Sequence, residues 1–416
     1  MKHHLKSMNT LLAVACCLLL PAFAHAQWTA LSSGTTSNLH GVYFFNADTG
    51  FVIGGDFNSN SIILKTVNGG ATWTTVYSKV TNDNLESITF SSPSHGFVTG
   101  GTQTGGNVPI LLYTTDGGNT WSHDTIVPMS GDFSAVQFAD TDTGYTTGAN
   151  LQQYGMKTVN GGATWTNLPP AADDYSTICF ITGSKGFLAP DNGGMLVSTN
   201  GGNTWVPILP ATIGFLSDIH FTTPTTGIAV GGTTAGTDPL ILKTANAGAS
   251  WTVISGFTNG GLDHISFPDP LHGFAIGFET SDLPLLIATT DSGNHWDTMP
   301  PPVTSAHLYG LCFPTATVGY VVGDSGKIFK YRNTTLVKNV TENDAITIYP
   351  NPVKNTCYWK VNSSYNNAAQ MIALYSITGR LVATTAYQQG MLDMSGLASG
   401  MYILRFGDTA KLVEKE

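Results

Sequence analysis

The stretch that decides the fold is Thr66-Val-Asn-Gly-Gly-Ala-Thr-Trp73, because closely similar octapeptides recur five more times along the chain. The other copies are Thr114 to Trp121, Thr158 to Trp165, Ser198 to Trp205, Thr244 to Trp251 and Thr289 to Trp296. Their tryptophans follow one another at intervals of 48, 44, 40, 46 and 45 residues. A repeat of this length with strand-like flanks predicts an all-β protein of the β-propeller type, in which each repeat forms one four-stranded blade.

Each octapeptide has the composition of a hairpin turn. An apolar segment such as Ile62–Lys65 precedes it, and Trp-Thr follows it. The Asn-Gly or Asp-Gly pair is expected to supply positive φ angles, and the Asn or Asp side chain to cap its own turn. The tryptophan is expected to pack between neighbouring blades. The predicted structural positions are Asn68, Trp73, Asp116, Trp121, Asn160, Trp165, Asn200, Trp205, Asn246, Trp251, Asp291 and Trp296.

A second signature, a strand ending in Phe followed by a polar turn and a Gly, recurs seven times. The Phe positions are Phe44, Phe90, Phe138, Phe180, Phe221, Phe267 and Phe313, and the Gly positions are Gly50, Gly96, Gly144, Gly186, Gly227, Gly273 and Gly319. The last copy has no octapeptide after it, and Trp28 near the N-terminus has none before it. We therefore predict seven blades, the seventh built from both ends of the propeller so that no edge strand is left open.

Composition limits the possible functions. The chain has 416 residues, 47 of them Gly, with 11% charged residues and a net charge of −10, which suits a turn-rich all-β protein and argues against a nucleic-acid partner. Residues 1–26 have the features of a signal peptide: Lys2 and Lys6, the apolar segment Leu11–Leu20, and Ala24-His-Ala26 before Gln27. No later apolar run is long enough to cross a bilayer.

The pattern changes after the propeller, which we assign to residues 27–333. Residues 334–345 are predicted to be a linker, and residues 346–416 alternate like a small β-sandwich, as in Ile346–Tyr349 and Cys357–Val361. This segment resembles the type A C-terminal sorting domain of the type IX secretion system. The resemblance rests on motifs that contain Tyr349, Pro350, Asn351, Pro352, Gly379, Arg380, Gly400 and Tyr402. It implies a Bacteroidetes-type bacterium, the type IX machinery as a partner, and a product that is secreted or attached to the outer-membrane surface.

The octapeptide resembles the Asp-box of neuraminidase (BNR) repeats, and the full repeat is similar to propellers of the photosystem II stability/assembly factor-like group. The resemblance covers roughly residues 28 to 331 and indicates the fold, whereas propellers of this kind carry unrelated activities. A sialidase needs three arginines around the substrate carboxylate, but the chain contains only Arg332, Arg380 and Arg405, two of them in the sorting domain. The sequence therefore argues against a sialidase.

Alignment of the first strand of each repeat gives the candidate ligand site. The first and fourth columns are apolar, as in Leu39 and Val42, and the two columns between them vary. Because this strand begins at the mouth of the central channel, we predict a ligand site there formed by His40, Glu86, Asp218, Asp263, His264 and Tyr309. A divalent metal on Asp218, Asp263 and His264 is a weaker alternative, since metal sites need several ligands at defined geometry, and no metal or cofactor is predicted.

The sequence therefore predicts an exported, monomeric binding module for a glycan or a surface protein, and no enzyme. Two alternatives remain open. One is a glycoside-active enzyme with an acid pair such as Glu86 and Asp263, since glycoside hydrolysis needs two carboxylates. The other is a purely structural component of the cell surface or matrix that binds no small ligand.

Overall fold

A computed structural model describes residues 27–56, 60–80, 83–102, 108–124, 131–149, 155–169, 174–254, 257–333, 346–361, 371–376, 381–386, 390–406 and 409–416. The predicted signal peptide, residues 1–26, and the predicted linker, residues 334–345, lie outside this described part. The chain divides into two compact units, residues 1–334 and residues 335–416.

Among the described residues the first unit contains strands and two short 3-10 turns, Ala211–Ile213 and Asp324–Gly326. Its strands up to the middle of the unit are β1 (Gln27–Leu31), β2 (Leu39–Phe44), β3 (Gly50–Gly54), β4 (Ser61–Thr66), β5 (Thr74–Lys79), β6 (Asp83–Phe90), β7 (Gly96–Thr102), β8 (Pro109–Thr114), β9 (Ser122–His123), β10 (Asp132–Phe138), β11 (Gly144–Ala149), β12 (Met156–Thr158), β13 (Thr166–Asn167) and β14 (Tyr175–Phe180). The remaining strands are β15 (Gly186–Pro190), β16 (Met195–Ser198), β17 (Val206–Leu209), β18 (Phe215–Phe221), β19 (Gly227–Gly232), β20 (Pro239–Thr244), β21 (Thr252–Ile254), β22 (Gly261–Ser266), β23 (Gly273–Phe278), β24 (Pro284–Thr289), β25 (Asp297–Thr298), β26 (Leu308–Thr315), β27 (Val318–Gly323) and β28 (Lys327–Arg332).

These strands form seven four-stranded antiparallel sheets. Sheets 1 to 6 are β2–β5, β6–β9, β10–β13, β14–β17, β18–β21 and β22–β25, each in chain order. Sheet 7 has the order β1-β28-β27-β26, with Trp28 opposite Tyr331, so its outermost strand comes from the N-terminal end of the described chain. The first strands of successive sheets contact one another, and β26 of sheet 7 contacts β2 of sheet 1.

The octapeptides form wider turns than the sequence suggested. In the first copy, strand β4 ends at Thr66 and β5 begins at Thr74, and the positive φ angles fall on Gly69 (66°) and Gly70 (82°). The prediction that the Asn-Gly pair supplies these angles is therefore confirmed for Gly69 but not for Asn68, and the second positive angle belongs to the following Gly70. Asn68 instead accepts a hydrogen bond from the Thr72 backbone N–H at 2.9 Å through its side-chain oxygen.

The hydroxyl residue that opens each octapeptide, Thr in five copies and Ser198 in the fourth, also holds the turn together. The Gly70 N–H donates to the Thr66 hydroxyl at 2.9 Å, and that hydroxyl donates to the Asn68 side chain at 3.0 Å. The same pair of contacts recurs in each of the other five turns. A buried N–H that would otherwise lack an acceptor is thereby satisfied by a side chain close in sequence.

The Phe and Gly of the second signature are cross-strand partners in five of the seven sheets. Phe44 pairs with Gly50, and a Cβ atom added to Gly50 would lie 2.4 Å from the Phe44 ring. Added Cβ atoms at the other six Gly positions of the signature would likewise meet their own Phe rings at 2.3–2.8 Å. Glycine is required there because the aromatic ring occupies the space of its missing side chain.

Aromatic rings and lysines connect neighbouring sheets. The Phe44 ring of sheet 1 stacks on Tyr320 of sheet 7, with ring centroids 3.6 Å apart. The Lys330 ammonium group of sheet 7 donates to the Gly69 carbonyl oxygen in the first octapeptide at 2.7 Å. Trp73 packs in one hydrophobic cluster with Leu39 of sheet 1 and Val322 of sheet 7. Buried apolar contacts of this kind supply the main driving force for packing one sheet on the next.

The second unit contains two antiparallel sheets. Its strands are β29 (Ile346–Tyr349), β30 (Thr356–Val361), β31 (Met371–Ser376), β32 (Leu381–Ala386), β33 (Met391–Asp393), β34 (Gly400–Phe406) and β35 (Thr409–Lys415). The sheet orders are β29-β30-β33 and β32-β31-β34-β35. Side chains of both sheets, including Trp359 and Leu404, form one buried cluster, which is the arrangement of a small sandwich.

No helix in the described part of the chain is long and apolar enough to span a membrane. The three cysteines in that part, Cys179, Cys312 and Cys357, are free thiols. Burial raises the pKa of Cys179 and of Cys312 to about 12, so both are protonated and unreactive at neutral pH.

Candidate functional site

The first strands of the seven sheets surround a single cavity of about 490 Å³. All six residues of the predicted ligand site contribute to its wall: His40, Glu86, Asp218, Asp263, His264 and Tyr309. They come from sheets 1, 2, 5, 6 and 7, so residues up to 269 positions apart in the sequence meet here. We call this space the channel-mouth cavity.

A β-bulge in every first strand explains how the cavity wall forms. In β2 the pairing shifts between Leu39 and Gly41, which leaves His40 without a partner residue on β3. The same shift leaves one residue unpaired in each of the other first strands, namely Glu86, Ser134, Ser176, Ser217, Asp263 and Tyr309. A bulge locally redirects side chains, and here both the bulged residue and a following polar residue such as Asp218 reach the cavity.

His40 and Tyr309 form one wall of the cavity. Their ring centroids are 4.8 Å apart, and His40 Nε2 lies 3.1 Å from the Gly55 carbonyl oxygen. Tyr309 donates its hydroxyl to Asp324 Oδ1 at 2.8 Å. Burial lowers the pKa of His40, which favours the neutral ring, and burial together with the Asp324 carboxylate raises the pKa of Tyr309, which keeps the phenol protonated.

Asp218 and His264 form an ion pair across two sheets. Asp218 accepts the backbone N–H groups of Ile219 at 2.8 Å and Ile265 at 3.1 Å, so its carboxylate is held in place from both sides. His264 Nδ1 lies 3.7 Å from Asp218 Oδ2. Burial favours the neutral ring, but Asp218 together with the charges of Asp263 and Glu86 outweighs it and raises the pKa of His264. The cavity therefore favours the imidazolium form.

Glu86 and Asp263 are the two carboxyl groups that resist ionisation. The side chain of Glu86 faces the cavity and accepts a hydrogen bond from the Asn84 amide. Desolvation by the surrounding protein, followed by the charge of Asp132, raises the pKa of Glu86. Desolvation also raises the pKa of Asp263, against the opposing effect of His264. Asp263 accepts no hydrogen bond from another described residue, so its carboxylate is available to a ligand.

Further polar side chains line the cavity that were not included in the predicted site. Ser87, Ser134, Ser176, Thr177 and Ser217 add a collar of hydroxyl groups, and Gln137 and His220 lie beside them. The hydroxyl residues occupy the two variable columns of the strand alignment, which was the available signal for them. Gln137 and His220 lie two positions after the second of these columns, on the same face of their strands.

Asp132, adjoining the site, was also missed, and no repeated pattern marks it. Its pKa is raised by burial, and its Oδ1 atom is buried without a hydrogen-bond partner within the described ranges. The same ranges contain no group of three or more His, Cys, Asp or Glu side chains arranged to hold a metal ion. The alternative of a metal on Asp218, Asp263 and His264 therefore has no support from the geometry.

The residues of the predicted sorting signal lie at the ends of strands in the second unit. Tyr349 stacks on Tyr358 with ring centroids 5.9 Å apart, and Asn351 accepts the backbone N–H of Glu414 at 2.8 Å. Pro350 and Pro352 both follow cis peptide bonds. Gly400 begins β34 with φ 149°, and the Tyr402 hydroxyl donates to the Ala398 carbonyl oxygen at 2.8 Å. Gly379 and Arg380 lie outside the described residues.

Two family models match separate parts of this chain. Residues 20–129 match the model described as photosynthesis system II assembly factor YCF48, and residues 347–416 match the secretion system C-terminal sorting domain. Both resemblances identified from the sequence motifs are thereby confirmed. A comparison with curated proteins found no match.

Solved structures share the fold of the first unit at low sequence identity. YCF48 from Cyanidioschyzon merolae is 19% identical with a TM-score of 0.56, and the match covers 74% of this chain and 99% of that one. A structure of YCF48 bound to D1 peptide is 18% identical with a TM-score of 0.56, covering 74% and 97%. These likenesses establish a β-propeller and leave its ligand open.

A third structure covers more of this chain. PorZ, described as an essential bacterial surface component of the type-IX secretion system of Porphyromonas gingivalis, is 12% identical with a TM-score of 0.54. The match covers 93% of this chain and 60% of PorZ. The chain thus combines a β-propeller with a C-terminal sorting domain, and the sorting domain indicates export by the type IX system, with secretion or attachment to the cell surface.

Proposed function

We propose that the protein is an exported, monomeric, seven-bladed propeller that binds a glycan or a surface protein at its channel-mouth cavity. In this proposal residues 1–26 direct the chain across the inner membrane of a Bacteroidetes-type bacterium, and the sorting domain then directs it through the outer membrane. The propeller is the functional part, and it needs no cofactor or metal.

Seven blades in a closed ring are supported by the arrangement of the sheets. The first strands contact one another in succession, and contacts between β26 and β2 connect the last sheet to the first. The Phe44–Tyr320 stack and the Lys330 hydrogen bond cross the same junction. Pairing of β1 with β28 covers an edge that would otherwise be open to other chains.

The observation that carries the binding proposal is the convergence of the bulged residues on one cavity. Seven separate strands each deliver a residue without a cross-strand partner to it, and the carboxylate of Asp263 accepts no hydrogen bond from another described residue. Its volume of about 490 Å³ lies in the range typical of small-molecule and saccharide-sized sites. A YCF48 structure with the same fold holds a bound D1 peptide, which supports a binding role for this propeller.

The proposal is tested with a glycan array and a pull-down of surface proteins, using the purified full chain and the variant Asp218→Asn. Asp218 lines the cavity and holds His264 by an ion pair, so the loss of its charge alters the cavity, and we expect the variant to bind at least tenfold more weakly. Binding that is unchanged in the variant would place the ligand elsewhere on the propeller. Absence of any glycan or protein ligand would favour the purely structural alternative.

One observation favours a glycosidase as the second candidate. The pKa values of Glu86 and Asp263 are both raised, and a general acid for glycoside hydrolysis needs such a shift. Incubation with the glycans that bind, followed by mass spectrometry of the products, decides between binding and turnover. Product that disappears on Glu86→Gln would establish the enzyme, whereas binding without product would support the binding module.

A further inference from the structure

We infer that the channel-mouth cavity selects a ligand carrying a protonated primary amine on a polyhydroxylated scaffold, that is, an amino sugar whose nitrogen is not acetylated. This inference rests on the proposed binding function and specifies its ligand class. The amine would lie against Asp263 and Glu86, and the hydroxyl groups of the sugar would contact the serines and threonine of the collar.

The lining of the cavity carries more negative than positive charge. Three carboxyl residues line it, namely Glu86, Asp218 and Asp263; the His264 imidazolium offsets one of them through its pair with Asp218, and none of the described lining residues is a lysine or an arginine. Asp56 and Asp324 add negative charge beside His40 and Tyr309. A cavity with low-dielectric walls concentrates the effect of such charges, so a cation is attracted and an anionic glycan is repelled.

The hydrogen bonds show which carboxylates of the cavity already have partners in the protein and which could accept further hydrogen bonds from a ligand. Asp218 already accepts two backbone N–H groups and pairs with His264. Asp263 accepts no hydrogen bond from the described residues, and Glu86 accepts one, from Asn84. An ammonium group offers three N–H donors and no acceptor, which matches these carboxylates in both charge and hydrogen-bonding role.

A second, independent observation is the unused hydroxyl of Thr177. This residue is 7% exposed and lines the cavity, and within the described ranges no group hydrogen-bonds to its hydroxyl. Buried polar groups in native proteins are normally hydrogen-bonded, so a polar ligand or water is expected to complete this one. Four serines beside it, Ser87, Ser134, Ser176 and Ser217, extend the same hydroxyl collar.

The hydroxyl collar favours an amino sugar over a lysine side chain. A lysine stem consists of methylene groups, which gain most when they lie along apolar surface. The upper wall of the cavity is instead hydroxyl and carboxyl, and the apolar residues Val136, Ile178 and Ile219 lie further along the same strands. Sugar hydroxyls can donate to and accept from serine and threonine, so the collar would be used fully by a saccharide.

Isothermal titration calorimetry on the full chain tests the inference. The probes are a chitosan tetrasaccharide, its fully N-acetylated counterpart and a lysine-rich peptide of equal charge, all at one near-neutral pH, because the raised pKa values of Glu86 and Asp263 would favour their uncharged forms in acid. We expect the free-amine tetrasaccharide to bind at least about tenfold more tightly than the acetylated one, because loss of a charged hydrogen bond has roughly that effect. Added salt should weaken the free-amine complex.

Asp263→Asn is the diagnostic variant, and Asp297→Asn is its matched control. Asp297 lies on the outer strand of the same sheet and is exposed, so it leaves the cavity unchanged. We expect Asp263→Asn to abolish most of the preference for the free amine and Asp297→Asn to leave it intact. Glu86→Gln provides an independent variant should Asp263→Asn fail to fold.

Four results would overturn the inference. Equal affinity for free and acetylated sugars would show that the cavity binds a sugar without recognising its amine. Tighter binding of the lysine peptide would show that the ligand is a protein and not a sugar. If both Asp263→Asn and Glu86→Gln still preferred the free-amine sugar, the amine would bind at another place. No binding of any probe would refute the amino-sugar inference alone, because the array and pull-down described above test the binding function with other ligands.

Discussion

Replacement of Gly118 by Ala should destabilise the propeller far more than replacement of its neighbour Gly117. Both glycines adopt left-handed backbone conformations, with φ of 74° and 70°. A Cβ atom on Gly118 would lie 2.4 Å from Phe51 Cζ, whereas one on Gly117 would meet only the Pro93 carbonyl oxygen, at 3.2 Å. Phe51 belongs to sheet 1 and is fully buried, so its ring cannot turn aside into solvent.

The magnitude follows from two contributions. An alanine in the left-handed region costs about 1–2 kcal/mol at either position. Overpacking against a buried ring adds about 1–3 kcal/mol at Gly118 alone. The protein itself supports the smaller cost at the first position, since Ala247 (φ 56°) and Ser292 (φ 63°) occupy it in the fifth and sixth octapeptides.

Urea unfolding followed by tryptophan fluorescence measures both variants beside the unmodified protein. We expect the midpoint of Gly118→Ala to fall clearly below that of Gly117→Ala, with similar slopes in both transitions. If the two variants lost equal stability, close packing of Gly118 against Phe51 of the neighbouring sheet would not explain why this position is a glycine. The octapeptide would then stabilise the propeller by something other than its contact with the neighbouring sheet.

Three further outcomes follow from the same contacts. The contribution of His264 to the stability of the propeller should decrease as the pH rises, because a raised histidine pKa contributes stability that is present below its unfolded value and lost as the pH rises through the folded one. The raised carboxyl pKa values of Glu86 and Asp263 act in the same direction, whereas the lowered pKa values of His40 and His220 act in the opposite one, so the test is the difference in urea midpoint between the unmodified protein and His264→Gln. This difference should shrink as the pH rises, and a difference that does not change with pH would contradict the prediction. Lys330→Met should cost about 1–3 kcal/mol, since Lys330 is 6% exposed and donates to Gly69, and an unchanged thermal midpoint would show that this bond is dispensable. Trp28→Ala should cost about 1–3 kcal/mol, because the half-buried indole packs on Tyr331 and donates to the Pro300 carbonyl oxygen at 3.2 Å. Urea unfolding that matches the unmodified protein would show that β1 contributes little.

Much of the propeller could be predicted because its repeats are local. The strand that precedes Thr66 and the pairing of each Phe with the next Gly lie within about ten residues, where alternation and turn chemistry act directly. The final strand β35 (Thr409–Lys415) was not predicted, because its charged residues Lys411, Glu414 and Lys415 obscure the apolar alternation that marks a strand.

The residues of the candidate site could be predicted from the aligned columns of the first strands, but their arrangement in space could not. Strict alternation would place His40 and Gly41, or Asp263 and His264, on opposite faces of a strand. The bulge that brings both columns to the cavity depends on pairing with the second strand, which residue identity alone does not specify. The partners Asp324 and Asp132 depend on how loops and neighbouring sheets fold back on the site, so no repeat pattern could identify them.

The pairing of β1 with β28 also has a consequence for the order in which the chain can acquire its structure. Gln27 pairs with Arg332, so the two partners lie 305 positions apart in the sequence. Contacts between such distant residues form late and slowly, because the entropy of closing so large a loop must be overcome first. Within the propeller, β1 therefore has to wait for the last strand before it can pair, and the edge of β28 stays unpaired until then. The same junction is where we expect the folded molecule to open first under mechanical force or protease attack.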